Sequence, residues 1–319
     1  MQQVLNDFNP DIIEIFGTEL PFSLIGTKTS IPVVVHIQGL LTPCWDTYLY
    51  PKMSHISYVL FDWNPIRMYY RFLELQGFKR SSWREKEEVK RVSHFIGRTE
   101  WSKSVINAMN PTAVHHYGGE ILRDVFYEDS YRTIPSNLII VSTLSKPMYK
   151  GFDMVLKTAR ILKESYEVDF CWKVFGNVDP LIAENVTGIK HEEVNVQLVG
   201  VIDANTLRNE MLNASVYVHT SYIDNSPNSV CEAQILGLPV VATNVGGLSS
   251  LIKEGQTGYL VPANDPYQMA FKIDMMFKDK NLNEKIGMNA KMVAVGRHDK
   301  KTITDELIKT YINIINKSK

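Results

Sequence analysis

The stretch SVYVHTSYIDNSPNSVCEAQILGLPVVATNVGG (215–247) decides the fold. Its first six residues, 215–220, are a continuous apolar run suited to a strand covered on both faces. A polar loop, SYIDNSPN, follows. The pattern predicts a helix from near Ser229 to Leu236, stopped by Gly237, and then a strand in PVVAT (239–243). Strand, loop, helix and strand in this order are the unit of a parallel sheet. Ligands of open α/β sheets bind at the carboxyl edge, where such a loop lies.

The same alternation extends in both directions. Residues 137–144, 169–175, 195–199 and 257–261 read as further buried strands. Between them, Phe152, Val155, Leu156, Ala159 and Leu162 recur at helical spacing over 152–164. In the first half, 10–17, 32–39, 94–99 and 113–119 read as strands, and 65–76, 83–93 and 101–109 as helices. The expected fold class is therefore α/β with two Rossmann-like domains, the N-terminal one incomplete, with four strands. The polar stretch 128–137 is the expected linker. It separates an acceptor-side domain over 1–132 from a second domain over 133–300, and a last helix in 301–319 is expected to join the first.

Composition narrows the function. At 319 residues, 45% hydrophobic and 22% charged, the chain is neither disordered nor fibrous. A net charge of −1 gives no reason to expect nucleic acid as partner. Cys44, Cys171 and Cys231 are odd in number and form no CxxC pair, which argues against a disulfide framework or structural zinc. No apolar run approaches the roughly 18 residues of a membrane span. The start, MQQVLNDFNPD, lacks the marks of a signal peptide, so the expected location is cytoplasmic. One segment, 63–98, carries nine basic against four acidic residues, interleaved with Trp63, Tyr69, Tyr70, Phe72, Phe78 and Trp83. It reads either as a peripheral contact for an anionic membrane or acceptor, or as a solvated amphipathic helix pair.

The chemistry of 219–247 follows from its helix start. Unpaired amides and the positive dipole end near Pro227, Asn228, Ser229 and Val230 suit a diphosphate. Asp224 and Glu232, eight residues apart, flank that spot. Carboxylates repel phosphate but accept hydrogen bonds from hydroxyls, so they suit the sugar and ribose on either side of a diphosphate. The structural alternatives are a capping box, Ser229-x-x-Glu232, and an Asx-turn at Asp224.

This unit resembles the nucleotide-sugar site of family 4 glycosyltransferases of the GT-B fold. Their pattern is Glu-x7-Glu, a small-residue turn, a strand reading PVVAT, then GG. Asp224 and Glu232 stand at the two acidic positions, with Ala233, Gly237, Pro239–Thr243, Gly246 and Gly247 in register. GYLVPANDP (258–266) continues the match. TLSKPMYKGF (143–152) resembles the segment in which Lys150 would hold the donor diphosphate. Thr143 stands where many members carry arginine, and Lys146 is the candidate substitute. VQLVGVI (196–202) resembles the segment lining the nucleobase pocket, through Leu198, Val199 and Gly200. Ser221 matches a common serine after the strand, and Ser226 belongs to the same loop.

In the first half, PDIIEIFG and VVVHIQGLL resemble acceptor-domain strands, with Gln38 where many members place a histidine; His36 reads as structural. GRTEW and EILRDVFY resemble a bacterial polysaccharide-assembly branch, and Glu120 would approach the site, cap a helix or form a core salt bridge. Members usually open with a strand and a glycine-rich loop, and no segment here corresponds.

The resemblance implies a retaining transferase. It would move a sugar from a nucleotide-diphospho-sugar to a glycan or lipid-linked acceptor hydroxyl, with Asp224, Glu232 and Lys150 at the site and neither metal nor cofactor. A GT-B nucleotide-sugar epimerase and an inactive or truncated nucleotide-sugar-binding subunit are the alternatives.

Overall fold

The computed structural model describes residues 2–318. In chain order, the first half carries α1 (Gln2–Phe8), β1 (Ile13–Phe16), β2 (Val33–His36), α2 (Leu41–Asp46), α3 (His55–Val59), α4 (Pro65–Val89), β3 (His94–Gly97), α5 (Glu100–Met109) and β4 (Val114–Tyr117). There follow β5 (Leu138–Thr143), α6 (Phe152–Glu164), β6 (Phe170–Phe175), α7 (Leu181–Thr187), β7 (Val196–Gly200), α8 (Ala204–Leu212) and β8 (Val216–His219). The chain continues with α9 (Asn228–Ile235), β9 (Val240–Thr243), α10 (Leu248–Leu251), β10 (Tyr259–Val261), α11 (Pro266–Lys278), α12 (Lys280–Arg297) and α13 (Lys300–Ser318).

The chain divides into two compact units. One comprises the residues up to Asp46, Phe72–Ile121 and His298 onward; the other comprises Thr47–Arg71 and Leu122–Arg297. The first holds a parallel four-stranded sheet in the order β1-β2-β3-β4. Val33, Val35, Phe95 and Ile106 form the core on one side of this sheet, and Val34 and Ile96 meet Ile314 of α13 on the other. Residues 47–71, which the sequence places within 1–132, cluster with the second unit. Tyr50 and Tyr58 are buried there, and the Tyr48 ring lies 6.4 Å from that of Tyr149.

The helices expected at 65–76 and 83–93 are one continuous α4. The intervening GFKRSS contains no proline, and Leu75, Ser82, Glu85 and Glu88 bury along the helix. Glu85 accepts the Leu41 amide at 2.8 Å and the Thr42 amide at 2.7 Å, capping the start of α2. Glu88 pairs with Arg84 at 3.1 Å. Such buried carboxylates persist only with partners of this kind.

The second unit holds six parallel strands in the order β10-β9-β8-β5-β6-β7. From β5 the chain first winds outward through β6 and β7, then returns to β8 and winds the other way. The topological switch point, where α/β sheets take their ligands, thus lies between the carboxyl ends of β5 and β8. The central strands β5, β8 and β9 are buried on both faces, as their apolar sequences require, whereas the edge strand β7 exposes Gln197 and Val199.

Candidate functional site

Two loops meet at the switch point. The one after β5 ends in a short helical turn, Met148–Lys150, and the one after β8 carries Ser221 to Pro227. Gly151 makes their approach possible. Its φ is +78°, and a Cβ there would stand 2.1 Å from the Thr220 carbonyl oxygen. With that carbon absent, Thr220 Oγ1 donates to the Lys150 carbonyl at 3.0 Å and the Tyr222 amide donates to the Tyr149 carbonyl at 2.7 Å.

The two loops bring Lys150 and Asp224 together, with Nζ 2.6 Å from Oδ2. Asp224 also has His219 Nε2 at 3.2 Å, Ser221 Oγ at 3.5 Å and the Asn225 amide at 3.0 Å. Burial by itself would raise the Asp224 carboxyl pKa. The Lys150 ammonium and His219 outweigh it and hold the group well below the usual carboxylate range. Asp224 is therefore a fixed anion beside a fixed cation.

Around this pair opens a cleft of about 360 Å³. Thr143, Ser145, Lys150, His219, Asp224 and the segment Pro227–Ser229 line its polar side, and Phe175, Val201, Ile202 and Leu207 its apolar side. A charged end and an apolar wall are what a phosphorylated ring compound requires.

Helix α9 points its start into the cleft. Pro227 is the N-cap and makes no side-chain capping bond, so the capping box Ser229-x-x-Glu232 does not form. Its two members are engaged elsewhere. The Ser229 side chain hydrogen-bonds the Tyr217 phenol, which burial pushes up to about 12. Glu232 receives Arg123 in a two-point contact, Nε to Oε1 and a terminal nitrogen to Oε2, both 2.8 Å. The amides of Val230 and Cys231 turn back to the Pro227 carbonyl at 3.0 and 3.3 Å, and Asn228 and Ser229 line the cleft.

The remaining expected residues divide by position. Ser221 and Ser226 are buried in the loop that carries Asp224. Lys146 is exposed and lies outside the residues lining the cleft. Leu198 lines a different hollow, Val199 faces solvent, and Gly200 makes the turn with φ +88°. The cleft is reached just beyond, at Val201 and Ile202. Glu232 stands outside the cleft lining, with its carboxylate on Arg123. Gln38 and Glu120 belong to the first unit, where Arg98 binds both, Gln38 at 3.0 Å and Glu120 as an ion pair. His36 is buried, 3.1 Å from Glu14, and stacks on Phe16. His219 lines the cleft and Arg123 holds Glu232, and sequence reasoning singles out neither.

The description Glycosyl transferases group 1 matches residues 134–293, half of the chain and most of the second unit. The chain belongs to this family. Among curated relatives, this group 1 glycosyl transferase is 29% identical to the capsular polysaccharide biosynthesis glycosyltransferase CapM of Staphylococcus aureus, over 66% of this chain and 48% of CapM. It is 31% identical to D-inositol 3-phosphate glycosyltransferase of Paenarthrobacter aurescens, over 43% of this chain and 35% of that protein. The matches thus span about half the length of these relatives or less.

Among solved structures, sucrose-phosphate synthase of Thermosynechococcus elongatus matches 99% of this chain and 76% of its own, with TM-score 0.76 and 16% identity. Anabaena HepE in complex with UDP matches 98% of this chain and 81% of its own, with TM-score 0.70 and 17% identity. The fold of this group 1 glycosyl transferase is GT-B. Among its described residues no helix is long and apolar enough to cross a membrane.

Proposed function

We propose that the protein transfers a sugar from a nucleotide-diphospho-sugar to a hydroxyl of a glycan or lipid-linked acceptor, with retention at the anomeric carbon. The observation that carries this reading is the convergence of Lys150, Asp224 and the start of α9 on one cleft at the switch point. Lys150 and the Asn228 and Ser229 amides stabilise the negative charge that gathers on the leaving diphosphate. Asp224, anionic and rigidly held, accepts hydrogen bonds from the sugar hydroxyls. The apolar wall at Val201, Ile202 and Leu207 receives the nucleobase. Glu232 is the partner of the ribose hydroxyls, which it reaches by sharing or leaving Arg123.

The test is a thermal-shift screen with UDP, GDP and ADP sugars, followed by a transfer assay that reads the product anomer. One of these nucleotides stabilises the wild-type protein. In Lys150→Ala that stabilisation falls and kcat/KM drops by about 10²- to 10³-fold, the usual effect of losing one charge-stabilising donor. The double variant Lys150→Ala/Asp224→Asn removes the buried charge that the single change leaves without its ammonium partner, and so serves as the folding control. Nucleotide binding unchanged by Lys150→Ala overturns the assignment of the diphosphate site, and an inverted product overturns retention.

A further inference from the structure

The second unit contains another concavity, larger than the donor cleft, of about 840 Å³. It lies between α6, α7, the turn before α11 and the segment 51–63. Three cations line it, Lys52, Lys157 and Arg160, and no carboxylate does. Its aromatic lining is Phe61, Trp63 and Tyr267, the last two 75% and 72% exposed. Lys157 already has partners, Asp153 at 2.7 Å and Asn264 at 3.3 Å. Neither Lys52 nor Arg160 lies within ion-pair distance of a carboxylate among the described residues.

The backbone marks the same place. Six described non-glycine residues have positive φ, and three of them, Lys52 at +70°, Trp63 at +52° and Asn264 at +60°, line this groove. A left-handed backbone is rare for tryptophan, and such strained positions gather at binding sites.

We propose that this groove binds an anionic oligosaccharide, such as a chain bearing carboxylates on its sugar rings. Aromatic faces stack on the apolar faces of sugar rings, and the cations take up the carboxylates between them. Concavity favours a chain of rings over a lipid surface, which requires a protruding apolar face to enter the headgroup layer. The choice of carbohydrate among polyanions rests on the transferase reading; the polyanion chemistry does not.

Calorimetric titration with tetragalacturonate and with its neutral methyl ester tests the proposal. The acid form binds the wild-type protein, and the ester binds about tenfold more weakly or not at all. The double change Lys52→Ala/Arg160→Ala weakens binding of the acid form by about tenfold or more. Trp63→Ala weakens both forms severalfold. Absence of binding, equal binding of acid and ester, or wild-type affinity in the double variant overturns the proposal. So does co-sedimentation with phosphatidylglycerol vesicles that these substitutions abolish while tetragalacturonate gives no heat. The nucleotide thermal shift, measured on the same variants, remains that of the wild-type protein. A failure of the donor site therefore reads separately from a failure of this groove.

Discussion

Glu232 is almost wholly buried, and Arg123, half-exposed, meets its carboxylate with two hydrogen bonds. Burial raises the Glu232 pKa above the ordinary value, and Arg123 offsets only part of that rise. Arg123→Ala removes the offset and leaves a buried charge alone. A loss of about 1–3 kcal/mol at neutral pH follows, at the lower end for buried pairs because the guanidinium is partly in water. The sign of the pH dependence is fixed by the direction of the shift. A raised folded-state pKa means that the folded protein holds its proton more tightly than the unfolded chain, so acid relieves the defect and alkali exposes it. Urea midpoints of Arg123→Ala and wild type should converge as pH falls from 7.5 towards 4.5, and Arg123→Ala/Glu232→Gln should recover most of the loss. A gap that widens in acid contradicts this account. Sequence spacing shows Glu232 but cannot show Arg123, which stands 109 residues away and arrives only by folding. His219 is hidden similarly, since its partner Asp224 reaches it only when the loop after β8 turns back.

At the scale of elements, the six-stranded sheet of the second unit was legible because strands buried on both faces must be continuously apolar, and the helices between them must carry one apolar stripe. The same reasoning divided α4 in two, because glycine, serine and phenylalanine in 77–82 are weak helix formers. The burial of Leu75, Ser82, Glu85 and Glu88 overrides that local preference. The turn at Gly200 delivers Val201 and Ile202 to the cleft, and not Leu198 or Val199. The helical turn that ends at Lys150 shows what holds such loops in place. Gly151→Ala sets a methyl group against the Thr220 carbonyl at a φ that costs about 1–2 kcal/mol for an L-residue. Gly188 has a similar φ, +66°, but open space around it. Gly151→Ala should therefore lower Tm more than Gly188→Ala and alone abolish the nucleotide thermal shift. Equal effects at the two sites indicate backbone strain only, with no role for the loop contact.

At the scale of the whole molecule, each unit has its own core, one around Val35, Phe95 and Ile106, the other around Tyr217, Val230 and Val240. The first unit carries a group of partly buried histidines. Strands β3 and β4 of the first place His94 Nδ1 3.1 Å from His116 Nε2, with His115 on the same strand as His116. Burial is the main cause that lowers all three pKa values, and Lys317 adds repulsion at His94 and His116, Lys103 at His115. A histidine with a lowered folded pKa binds protons more readily when unfolded. Stability is then complete above the ordinary histidine pKa of about 6.5 and declines as pH falls through it. Protonation also costs the His94–His116 hydrogen bond, in which one ring must accept. Acidification from pH 7.5 to 5 should therefore reduce hydrogen-exchange protection in β3 and β4, after correction for intrinsic rates, while β5 and β6 keep theirs. His94→Gln/His116→Gln should flatten the response of the first unit. An equal loss across both sheets, or one that survives in the double variant, shows that other groups carry the acid sensitivity.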